Sequence, residues 1–252
     1  YKTLRELAKE RKNLVGMMAY YNYVRRSIAT LVSKGVEELS PNDLIRREVK
    51  YIVENYKDSI LVEELMHDFV YEYILEYGLK GQEDLVGLYK KNVKSAAKLM
   101  LFEQMCNTWL SLCPGTPSPV FNLPDANGKM MSLEAMRGKF VYIDLWASWC
   151  GPCHREIPFL KRLEKKFAGK NIVFVGISCD TDKEAWLKSM QNEGLDGIQL
   201  YMGDDLAFGK AYMVSNLPRF ILVDPEGNIV EAYMTAPSNP ETEERLQKLF
   251  LI

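Results

Sequence analysis

Two periodicities divide this chain. From residue 1 to about 110, apolar side chains recur at intervals of three and four, the spacing that lines one face of an α-helix. Leu4, Leu7, Leu14 and Met18 open the first such stripe. Pro41-Asn42-Asp43 reads as a helix entry, since proline is tolerated in a first turn, and predicts a second helix to about Tyr56. A third runs from Ser59 to Tyr77, where Gly78 stops it. The longest, Asp84 to Leu112, is carried by Leu99, Phe102, Cys106, Trp109 and Cys113. Pro114, Pro117 and Pro119 then end the helical run, because proline lacks the N–H that a helix interior needs. A domain boundary is expected there, giving an all-α domain over 1–112 and a second domain over 113–252.

Beyond the boundary, short β-rich runs alternate with helical stretches. Strands at 140–146 and 172–178 flank a helix at 152–167. A helix at about 182–192, a short strand near 197–201 and a small helix around 205–212 follow. The strand at 219–224 turns through Pro225-Glu226-Gly227-Asn228 into a strand at 229–234, and a helix from about Pro240 closes the chain. A βαβ unit followed by a hairpin implies a mixed central sheet with helices on both faces. The expected class is α/β preceded by a helical domain.

The 252 residues suffice for two cores. A net charge of −2 gives no electrostatic case for nucleic acid or an anionic membrane surface. No apolar run reaches the length of about 18 residues that a transmembrane helix requires. Tyr1 in place of Met suggests a processed or truncated product, with any signal or anchor in the missing part.

Cysteine usage singles out one pair. Cys106 and Cys113, seven residues apart on one unbroken helix, would stand about 10 Å apart along its axis, too far to pair. Cys179 follows a buried strand and reads as a small core residue. Trp149-Cys150-Gly151-Pro152-Cys153 instead places two thiols one helical turn apart where a strand enters a helix. Ile157, Leu160, Leu163 and Phe167 give that helix its apolar face. A helix N-terminus stabilises a thiolate. Cys150, nearer that end and expected to be more exposed, is the candidate nucleophile. Cys153, one turn inside, would resolve the mixed disulfide.

These residues resemble the thioredoxin superfamily, and the wider pattern is similar to its TlpA/ResA-like bacterial cell-envelope branch. The resemblance runs from about Pro114 to the C-terminus and takes in Ser118-Pro119-Val120-Phe121-Asn122-Leu123 and Asp125-Ala126-Asn127-Gly128-Lys129, which look like that branch's N-terminal β-hairpin. It implies a thioredoxin-like fold and dithiol–disulfide exchange with protein clients. Asp144 matches the buried acid that helps deprotonate the inner cysteine, and Glu156 matches an active-site carboxylate of the branch. Pro158 matches a helix-kinking proline, and Leu217-Pro218 the loop whose proline is cis. Trp149, Leu217 and Pro218 are the candidate client-binding residues, with Trp149 also shielding the disulfide, while Gly151 and Pro152 shape the motif's turn. Arg219 stands where many relatives carry a small polar residue, which bears on client preference. The strand at 172–178 departs from thioredoxin proper in containing no lysine. Gly-Pro between the cysteines points to a reductase, in a bacterial periplasm or cell envelope, drawing electrons from an upstream thiol protein and needing no bound cofactor or metal.

Other readings use the same residues. Cys150 to His154 matches the C-x-x-C-H pattern of c-type haem attachment, although the strand-to-helix setting opposes it. Zinc would need a third ligand such as His154 or Cys179, and no second CxxC or CxxH pair exists. A peroxiredoxin-like thiol peroxidase would carry Thr or Ser where Ala147 stands. A partner-binding module on a thioredoxin-fold scaffold would not need the intact pair. His67, inside an amphipathic helix, is expected only to pack.

Overall fold

The computed structural model describes residues 14–34 and 39–250. Leu4 and Leu7 of the first apolar stripe lie outside the described residues, as do the side chains of Leu14 and Met18. The chain divides between Cys106 and Asn107 into two compact units.

The first unit is helical: α1 Leu14–Ser33, α2 Pro41–Asn55, α3 Ser59–Met66, a π-turn His67–Tyr71, α4 Glu72–Tyr77, α5 Glu83–Asn92 and α6 Ala96–Leu110, which carries the chain across the division. Ser40 caps α2 by accepting the Asp43 N–H, and Asp58 caps α3 through Ile60 and Leu61. Gly78 ends α4 at φ +85°, a conformation that suits glycine. The expected single helix from Asp84 to Leu112 is two helices. Val93 turns extended (φ −89°, ψ 128°), and the Glu63 carboxylate of α3 accepts the freed N–H groups of Lys94 and Ser95 at 2.7 and 3.3 Å. That break lets α6 fold back so that the Phe102 ring stacks on Tyr89 with centroids 3.8 Å apart. His67 does more than pack, for its Nδ1 lies 2.7 Å from the Tyr89 hydroxyl.

The second unit is built on β3 Phe140–Trp146, β4 Ile172–Ser178, β5 Ile198–Tyr201, β6 Arg219–Val223 and β7 Ile229–Met234, in the order β5-β4-β3-β6-β7 among the described residues. β3, β4 and β5 run parallel, while β6 and β7 are antiparallel to their neighbours, which makes the mixed sheet. A separate hairpin, β1 Asn122–Pro124 with β2 Met130–Ser132, precedes it and bridges to the β5 edge between Asp125 and Leu200. Helices α7 Gly151–Lys166, α8 Lys183–Glu193, α9 Leu206–Ala211 and α10 Pro240–Lys248 complete the unit. Leu160, Leu163 and Phe167 from α7 and its end pack with Leu246 of α10 against Tyr142, Phe220 and Leu222 of the sheet. Those apolar positions at helical spacing fix which face of α7 meets the sheet, and so where its N-terminus lies.

Candidate active site

The end of β3 delivers the CxxC motif. β3 is buried from Val141 to Trp146, as expected of a central strand flanked on both edges. The chain leaves it through Ala147, Ser148 and Trp149 and enters α7 at Gly151, with Pro152 in the first turn, where its missing N–H costs nothing. Cys150 is the N-cap: its Sγ accepts the Cys153 N–H at 3.2 Å. Cys150 and Cys153 are joined as a disulfide.

Cys150 is not the exposed partner expected from its position. It is 4% exposed and Cys153 is 3% exposed, because Trp146, Ala147 and Trp186 enclose both and Leu217, Ala126, Met190, Leu195 and Tyr201 close around them. Trp149, expected to shield the disulfide, is 70% exposed and projects from the loop beside it. The Leu217-Pro218 bond is cis, and Leu217 reaches the disulfide cluster. Arg219 is buried: its Nε donates to the Ala232 carbonyl at 3.0 Å, and its guanidinium lies over the rings of Trp109 and Tyr233.

The two candidate carboxylates differ in their surroundings. Asp144 is buried at the centre of β3. Loss of hydration, then the negative charges of Glu164 and Glu156 on α7, push its carboxyl up to about 7, into the range where it exchanges protons at neutral pH. Glu156 is held differently, accepting both the backbone N–H and the hydroxyl of Ser238 at 2.8 Å. Cys179 is partly buried and free, with its thiol pushed up to about 12 by burial and then by Asp180 and Asp144, so it is not a nucleophile at neutral pH. Cys106 and Cys113 are free.

A set of residues that the sequence did not single out fixes the loop before Cys150. The buried Asp180 carboxylate accepts the Ser148 N–H at 2.9 Å, the Ser148 hydroxyl at 2.6 Å and the Ser178 hydroxyl at 2.8 Å. On the other side of the loop His154 Nε2 donates to the Ser148 carbonyl at 2.9 Å, while its Nδ1 meets Glu193 of α8 at 2.9 Å. Both His154 ring nitrogens are thus committed, one to the loop and one to α8. Among the described residues no three His, Cys, Asp or Glu side chains converge as a metal centre requires. A paired Ser and Asp around a strand end would have been the only signal for this strap, and the sequence holds many such residues.

The enclosed Cys150–Cys153 pair at the N-terminus of α7 is a dithiol–disulfide couple. Comparison with known proteins agrees. The Redoxin family matches residues 114–249. The thiol-disulfide oxidoreductase ResA of Bacillus subtilis is 32% identical over 121 residues, covering 48% of this chain and 67% of ResA. A Bacteroides vulgatus protein described as a thiol-disulfide oxidoreductase, solved in solution, is 51% identical with a TM-score of 0.51, covering 56% of this chain and 93% of its own. The thioredoxin domain of another thiol-disulfide oxidoreductase from that organism is 29% identical with a TM-score of 0.51, covering 55% and 99%. The chain belongs to the Redoxin family, in the TlpA/ResA-like part of the thioredoxin superfamily, and is a thiol-disulfide oxidoreductase.

Proposed function

We propose that this family member is an extracytoplasmic reductase of protein disulfides, with Cys150 as attacking sulfur, Cys153 as resolving sulfur and Asp144 as the group that takes the Cys153 proton. The observation that carries the reading is the Cys150 Sγ at the N-cap of α7, accepting the Cys153 N–H at the end of the strand that carries a buried acid displaced to about 7. Backbone N–H groups at that helix end favour negative charge on Cys150 once the pair is reduced.

In the reduced protein the Cys150 thiolate attacks a client disulfide, forms a mixed disulfide and expels one client thiolate. Cys153 then loses its proton to Asp144 and attacks Cys150 Sγ, releasing the second client thiol and closing the intramolecular disulfide. Two electrons from an upstream thiol protein reset the pair. Leu217 is among the partly buried residues over the sulfurs, so a client pairing with the Leu217-Pro218 loop has to displace that cover. Trp149 offers an exposed aromatic contact beside it. Glu156, tethered to Ser238, adds negative charge to the Asp144 environment and keeps that acid's proton affinity high. The helical residues 1–112 are assigned to docking or selecting clients, and the envelope location follows from the likeness to the cell-envelope branch.

Equilibration with glutathione tests the direction. A reductase requires a Cys150–Cys153 potential near the thioredoxin value of about −270 mV, and a value near about −120 mV makes the protein an oxidant instead. Cys153→Ser should accumulate mixed disulfides with clients through Cys150, and Cys150→Ser should accumulate none.

A further inference from the structure

Strand register puts Phe220, Asp144, Gly176 and Gln199 in one row across β6, β3, β4 and β5. Paired residues of neighbouring strands project to the same face. For Asp144 that is the face covered by α7: its carboxyl feels Glu156 and Glu164 of that helix, and Tyr142, two residues back, packs with Leu160 and Leu163. Gly176 contributes no side chain to the row, and Gln199 fills its place. A Cβ on Gly176 would lie 2.2 Å from Gln199 Oε1, 2.7 Å from Cδ and 2.8 Å from Nε2.

The Gln199 amide therefore lies over the β4 backbone, one strand closer to Asp144 than its own Cα. Adjacent strands are about 4.8 Å apart, so the amide occupies the place of a side chain directly beside the acid. Gln199 is only 7% exposed, and its Oε1 has no hydrogen-bond partner among the described residues. An amide oxygen buried without such a partner is disfavoured against an aliphatic side chain of similar size, so packing alone does not account for it.

We propose that Gln199 is a positioning residue for proton transfer: its amide, admitted by the bare Cα of Gly176, is the hydrogen-bond partner of Asp144 while Asp144 carries the Cys153 proton. The inference rests on the reading of Asp144 as that proton's acceptor. An amide serves both states of the acid, since Nε2–H donates to the carboxylate and Oε1 accepts from the carboxylic acid. It also brings no charge. Among the described residues, the other titratable groups that couple to Asp144 are Glu156 and Glu164 from α7, Tyr142 on its own strand and Cys179 after β4, and none of these is cationic. Lys161 acts on Glu164, which itself also feels Asp196. A cation over Gly176 would hold Asp144 ionised through neutrality, whereas glutamine leaves it free to titrate.

The test follows the Asp144 carboxyl by 13C NMR titration in the oxidised 252-residue chain, alongside the pH–rate profile of disulfide exchange. Gln199→Lys should lower the Asp144 midpoint by about 1 pH unit or more, and Gln199→Glu should raise it by about as much. The acidic limb of the rate profile should move with it. Thermal melts establish that each variant is folded, and if one fails, the other still reads the position with the opposite sign. A midpoint unmoved in a folded variant makes Gln199 a packing residue and overturns the proposal. Asp144→Asn separates the two layers. If it leaves the exchange profile unchanged, both readings fall. If it changes the profile while the Gln199 variants leave the midpoint in place, only the role of Gln199 falls.

Discussion

Asp144 is the residue at which the fold asks most of a single side chain. Its carboxyl moves from an ordinary 3.8 to about 7 on burial. Because the folded value lies above the unfolded one, the native state binds more protons between about pH 4 and pH 7, and stability falls as pH rises through that window. Three pH units correspond to roughly 4 kcal/mol, an upper figure because buried sites relax. Asp144→Asn in the oxidised protein should therefore leave stability near pH 4 little changed and raise it at pH 8 by up to about 4 kcal/mol, checked by urea unfolding at both pH values. A variant less stable than the parent at pH 8 would contradict this account. Asp144 was legible in the sequence because an acid inside Phe140-Val141-Tyr142-Ile143-Asp144-Leu145-Trp146 has nowhere to go but the core. Gln199 was not, since its meaning depends on the β4–β5 register and on Gly176 being bare. Nor was the depth of Cys150, which is covered by Trp186 and Leu217 from segments far along the chain.

At the scale of elements, the loop between β3 and α7 is held by a strap tied to the end of β4. Removing the Asp180 carboxylate would leave the Ser148 N–H and hydroxyl and the Ser178 hydroxyl without their acceptor. Asp180→Ala should cost on the order of 3 kcal/mol in denaturant unfolding and slow exchange at Cys150, whereas Asp180→Asn, which keeps an acceptor oxygen, should cost less. Equal losses for the two would mean that the hydrogen bonds are not what the carboxylate supplies. The elements themselves were largely legible: β3, α7 and β4 follow from a β-rich run, a helical period and a second β-rich run at 140–146, 152–167 and 172–178. The break between α5 and α6 was hidden, because Val93-Lys94-Ser95 contains neither glycine nor proline. It is stabilised by Glu63, whose carboxylate comes from another helix. A local pattern cannot register a partner thirty residues away.

Across the whole molecule, the matched family region at 114–249 begins after Trp109 and Leu112, yet both belong to the second unit and are buried. Trp109 lies 5.1 Å from the Arg219 guanidinium, with Tyr233 at 4.1 Å, and burial lowers that guanidinium to about 10. A buried cation against aromatic faces is stabilised by the ring quadrupoles, and taking one ring away costs both that attraction and the packing. Arg219 directly follows Pro218 at the start of β6, so the segment before residue 114 bears on the strand that follows the Leu217-Pro218 loop. Two fragments separate these contributions. Residues 107–252 should keep the Cys150–Cys153 potential of the full chain within about 30 mV, the equivalent of about 1.4 kcal/mol. Residues 114–252, without Trp109 and Leu112, should lose about 3–5 kcal/mol of stability relative to the longer fragment. In the full chain Trp109→Ala should reproduce most of that loss while leaving the potential in place. Equal unfolding midpoints for the two fragments would show that the family region alone carries the core of the second unit, and that the end of α6 is only a connection.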